Sequence, residues 1–132
     1  AAMNHIAERF HGELPVGVAT ILAMDSRRFP FLILSPTMRV PSRVSGTINA
    51  YLSMRAMLVS VVEHNKLQAQ IIQSVAVPGL CTGVGGMAAD EAALQMRAAY
   101  NMIVAGGWRQ ISHPVQAPFA LEPYGSRGST SR

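Results

Sequence analysis

The chain has 132 residues, 49% of them hydrophobic and 14% charged, which is enough apolar material for one packed domain and argues against intrinsic disorder. Its net charge of +4 comes from ten arginines and one lysine against seven acids, without a run of like charge or aromatic interleaving, which argues against a nucleic-acid-binding stripe. One cysteine, Cys81, excludes an intramolecular disulfide, and the cytoplasm is the default compartment.

In chain order, Asn4 to Phe10 carry Ile6, Ala7 and Phe10 at helical spacing and are closed by Gly12. Val16 to Ala23 is apolar in both registers and predicts a strand covered on both faces. Phe29 to Leu34 predicts a second buried strand, joined to the first by a hairpin-short turn at Asp25 to Arg28 and ended by Ser35-Pro36. Pro36 and Pro41 stiffen the loop that follows, and the basic pairs Arg27-Arg28 and Arg39/Arg43 would suit the rim of an anion site, with solvated loop charges as the alternative reading. Ser45 is the expected N-cap of a long helix to about Asn65, with Asn49, Ser53, Ser60, Glu63 and His64 on its polar stripe. Ile48, Tyr51, Leu52, Leu58, Val59 and Val62 form the opposite, sheet-facing side. The longest apolar stretch, Thr47 to Val62, is interrupted by Arg55 and polar residues, so no membrane span is expected.

Gln70 to Val77 predicts a third strand, followed by a glycine-rich loop and a helix with Asp90 and Glu91 in its first turn, reaching about Ile103. Gly106-Gly107 ends that helix. The α/β unit is expected over residues 1–110, with a Pro/Gly/Ser-rich segment over 111–132 whose last eight residues are expected to be mobile.

The loop Thr82-Gly83-Val84-Gly85-Gly86 carries the strongest chemical signal. Glycines let a backbone approach an anion without side chains in the way, and a helix start behind them offers free N–H groups to phosphate. On this view Gly85→Val blocks phosphate approach while the fold survives.

The stretch Ser74-Val75-Ala76-Val77-Pro78-Gly79-Leu80-Cys81-Thr82-Gly83-Val84-Gly85-Gly86 resembles the second ligand loop of macro domains, the ADP-ribose-binding family. Leu14-Pro15-Val16-Gly17-Val18-Ala19 resembles the family's Pro-x-Gly-x-Ala segment, and Phe31 to Pro36 resembles its Ile-His-x-Val-Gly-Pro strand without the histidine. The resemblance covers about residues 12–104. It implies a three-layer α/β/α macro-domain-like fold with a mixed sheet, in which Thr82, Gly83, Val84, Gly85 and Gly86 wrap the diphosphate of ADP-ribose or a related nucleoside diphosphate. Thr82 would add a hydroxyl donor.

Absent from the sequence are the family's Gly-Asp-Ile strand, its Asn-Ala-Ala-Asn strand and its Gly-Gly-Gly loop. The chain therefore reads as the second half of such a domain, with strands expected to lack their central partners and with exposed edges inviting self-association. No catalytic asparagine transfers to any position, so binding is favoured over catalysis. Hydrolysis of ADP-ribosyl or O-acetyl-ADP-ribosyl bonds is the alternative if a missing half carries the catalytic loop. A second alternative is a ligand-free interaction module that uses Met-rich helices and the Pro-rich segment.

The remaining candidates read as structural. Cys81 stands near a helix start, yet His5, His11, His64 and His113 are scattered and supply no base, so a small buried thiol is expected. No His-x3-His or Cys-x2-Cys pair suggests a metal, and no cofactor is expected. Asp90 and Glu91, adjacent on a helix, point about 100° apart and do not converge on one bond. Trp108 is expected to cover the core edge.

Overall fold

The computed structural model describes residues 1–118 as a small mixed α/β fold with three α-helices and a two-stranded antiparallel sheet. The order is α1 (Ala2–Arg9), β1 (Thr20–Ala23), β2 (Phe31–Leu34), α2 (Asn49–Leu67) and α3 (Ala89–Ile103), then short 3₁₀ turns at Gly107–Gln110 and Pro114–Gln116. The expected mobile tail lies outside the described residues.

Strand β1 is shorter than its apolar run because Gly17, at φ 96°, and the bond from the Val18 N–H to the Pro15 carbonyl make a turn of its first residues. The ladder pairs Thr20 with Leu34 and Ala23 with Phe31. It is extended at the hairpin by the Met24 N–H donating to the Pro30 carbonyl at 2.8 Å. The imidazole Nε2 of His5 lies 2.9 Å from the buried Thr20 hydroxyl and ties α1, which buries none of its residues, to the sheet.

Helix α2 begins at Asn49 rather than just after Ser45. Gly46 at φ 79° turns the backbone out of helical space, and Thr47 Oγ1 takes the Asn49 N–H. Its inward face is built from Ala50, Tyr51, Ser53, Ala56 and Met57. Ser53, expected on the polar stripe, is wholly buried because Ser35 satisfies it: Ser53 Oγ donates to the Ser35 carbonyl at 3.0 Å, and Ser35 Oγ donates to the Ser53 carbonyl at 2.7 Å. Val62, expected on the apolar side, is exposed. Helices α2 and α3 pack broadly on each other, and the core cluster joins Val44, Ala50, Cys81, Met87 and Ala92 with flanking Met38 and Leu80.

The expected third strand is not formed. Residues 70–77 have no ladder partner among the described residues, and side chains of α2 hold the start of the segment instead. Asn65 donates from Nδ2 to the Ile72 carbonyl at 2.9 Å and accepts the Ile72 N–H on Oδ1 at 2.8 Å, so its amide mimics one rung of a sheet. His64 donates from Nε2 to the Gln70 carbonyl at 2.8 Å, and its ring meets Phe31 edge-on at 4.8 Å.

No helix among the described residues is long and apolar enough to cross a membrane.

Candidate functional site at the glycine loop

The loop joins the segment after Asn65 to α3, and its backbone closes on itself. The Met87 N–H donates to the Cys81 carbonyl at 3.0 Å and the Gly86 N–H to the Gly83 carbonyl at 3.0 Å. Closing so tightly requires left-handed backbone at Cys81 (φ 66°) and at Gly86 (φ 66°). Cys81 tolerates that conformation as part of the core, where it is buried against Val44, Ala50, Met87 and Ala92.

The five predicted residues are together but play different parts. Gly85 has no room for a side chain: a Cβ there would stand 2.7 Å from the Cys81 carbonyl oxygen and 2.7 Å from Val44 Cγ2. Its own carbonyl accepts the Val44 N–H at 2.8 Å. Packing therefore explains this glycine, and the expectation that Gly85→Val spares the fold is corrected. Gly83 faces open space without a positive φ. Thr82 is exposed, and its hydroxyl, expected to reach a ligand, donates to the Gly79 carbonyl at 2.7 Å. Val84 is solvent-exposed.

Among the described residues, no protein acceptor meets the N–H groups of Thr82, Gly83, Val84 and Gly85. The guanidinium of Arg43 lies over Gly86, its Cζ and Nη2 each 3.0 Å from where a Cβ would sit. Arg43 was visible in the sequence only as a member of one of two basic pairs. Its companion Arg39 is engaged elsewhere, in an exposed ion pair with Glu13 at 2.7 Å that raises the guanidinium pKa. Helix α3 starts at Ala89 without a side-chain cap, and Asp90 Oδ1 accepts the Glu91 N–H at 2.9 Å. Those two acids offset the positive helix end, which leaves Arg43 as the cationic side chain placed over the loop.

Among the described residues, three of the four histidines are engaged away from the loop. His5 and His64 are engaged as described, and His113 Nδ1 accepts the Val115 N–H at 3.2 Å. Burial pushes the Cys81 thiol pKa up, partly offset by a hydrogen bond with Thr37, which is the reverse of nucleophile activation. Among the described residues no group of His, Cys, Asp and Glu could hold a metal. Trp108 is half-exposed beyond α3, with the Arg109 guanidinium 4.9 Å from its ring centroid.

The chain is 34% identical over 95 residues to an uncharacterized protein of Aeropyrum pernix, a match that covers 72% of this chain and 47% of the relative. It thus spans about half the length of that relative. No family model matches the chain, and no solved structure matches it.

Proposed function

We propose that the chain is part of a macro-domain-like, three-layer α/β/α protein with a mixed sheet, and that Thr82 to Gly86 binds the diphosphate of ADP-ribose or a related nucleoside diphosphate. The observation that carries this reading is the pairing of four amides without protein acceptors, at Thr82, Gly83, Val84 and Gly85, with the Arg43 guanidinium over Gly86. Backbone N–H groups clustered beside an arginine form an anion cradle. Binding rather than turnover is favoured because burial raises the Cys81 thiol pKa, the reverse of an activated nucleophile, and no group of His, Cys, Asp and Glu among the described residues could hold a metal. Hydrolysis of ADP-ribosyl bonds would require catalytic groups brought by another stretch of polypeptide.

Calorimetric titration of ADP-ribose, with AMP and pyrophosphate as charge controls, tests the reading. Micromolar ADP-ribose affinity is expected, lost in Gly83→Val and weakened at least about tenfold in Arg43→Ala, the loss of one charge-assisted contact. Absence of heat from a folded sample, or unchanged affinity in Gly83→Val, would overturn it. A ligand-free interaction module is the second reading, favoured by the internal engagement of the Thr82 hydroxyl and by the packing role of Gly85. Concentration-dependent association insensitive to nucleotide would support it.

A further inference from the structure

Between β2 and the extended segment 71–78 runs a groove of about 630 Å³, floored by Ser53 and Met57 of α2. One wall is β2, which pairs on a single side with β1. The other is the segment whose only described backbone anchors are Asn65 and His64 near its start. β2 thus has one free edge and the segment has no ladder partner among the described residues, and both carry apolar side chains, among them Phe31, Ile33, Ile72 and Val75.

We infer that this groove is a slot for one β-strand, inserted between β2 and residues 71–77 and hydrogen-bonded to both. This inference rests on the reading of the chain as part of a larger sheet, but not on ADP-ribose binding. The size agrees: a four-residue strand about 13 Å long, taking about 4.8 Å of sheet width and about 10 Å of layer thickness, fills on the order of 600 Å³. The occupant is an alternating strand, apolar toward Met57, because every second side chain faces the α2 floor. Its source is polypeptide equivalent to the part of the Aeropyrum pernix relative outside the match, since that relative carries about as much chain again. The strands of a second copy fit poorly: the slot needs a strand with both edges free, and β1 and β2 each have one edge taken.

Hydrogen exchange on the whole chain tests this, with and without a short synthetic peptide alternating Val and Thr, and with the unmatched part of the relative as a separate probe. Fast exchange alone and about tenfold slower exchange at both residues 31–34 and 71–77 with either probe is expected. Adjacent amides of an extended segment point to opposite sides, so one of Ser74→Pro and Val75→Pro should abolish the effect while the other spares it, with the circular dichroism of the free chain unchanged in both. Protection of one wall only, no protection by either probe, insensitivity to both prolines, or slow exchange in the chain alone that tracks dimer formation would each overturn the slot.

Discussion

The side-chain amide of Gln95, fully buried on α3, bridges two backbone groups at the start of α2: Oε1 accepts the Tyr51 N–H at 3.0 Å and Nε2 donates to the Thr47 carbonyl at 2.8 Å. The first turn of α2 has no side-chain cap on its N-cap residue, so a neighbouring helix supplies one. Gln95→Leu keeps the volume but orphans both groups and is expected to cost about 2 to 4 kcal/mol, read by urea denaturation. Gln95→Glu keeps the acceptor, loses the donor, and sets a carboxylate against the Thr47 carbonyl. It should recover stability as pH falls and the carboxyl protonates.

The two loop glycines separate on stability alone. Gly85→Ala drives a Cβ into the Cys81 carbonyl and Val44, and a loss of about 1 to 3 kcal/mol is expected. Gly83→Ala enters open space and should change stability by less than about 0.5 kcal/mol. Thermal melts of the two variants check the ranking; equal losses would contradict it.

The raised thiol pKa of Cys81 makes stability depend on pH in one direction. The folded state holds the proton more tightly than the unfolded chain, so the contribution is complete below the unfolded thiol value of about 8.5 and is lost as pH rises through the folded value. The melting temperature is expected to fall above about pH 8.5, and Cys81→Ala should flatten that limb. Iodoacetamide should label the native chain slowly at neutral pH. The pKa of Tyr51 is also raised by burial, partly offset by Arg55, and it acts in the same sense only near the higher phenol range.

Asn65→Ala removes both bonds to Ile72 and is expected to release residues 70–77 without unfolding the helices. New protease cleavage in that segment should appear, with a global loss of about 1 to 2 kcal/mol. His64→Ala, which removes the bond to Gln70, should add to the effect.

The two long helices were legible because apolar spacing at 3.6 residues is local, and both end close to where the pattern stops. The start of α2 was not, since Ser45 resembles a cap while the positive φ of Gly46 decides the matter. Ser53 and Gln95 look like surface polar residues and are buried; their partners Ser35, Thr47 and Tyr51 lie on other elements, which spacing within one helix does not register. Residues 70–77 have the composition of a strand, but a ladder requires a neighbour, and composition says nothing about whether one is present. The glycine loop itself was visible, although only its packing distinguishes the sterically required Gly85 from the free Gly83.

Val44 and Gly85, distant in sequence, are joined by a backbone hydrogen bond, with Arg43 laid over the next glycine. Such a long excursion must be closed before either contact forms, and that entropy is lost before the bond repays it. The loop is therefore expected to be completed late in refolding, so that Gly85→Ala quickens unfolding far more than it slows folding in stopped-flow traces. Helix α2, which lies wholly within the excursion, would form before the contact that closes it.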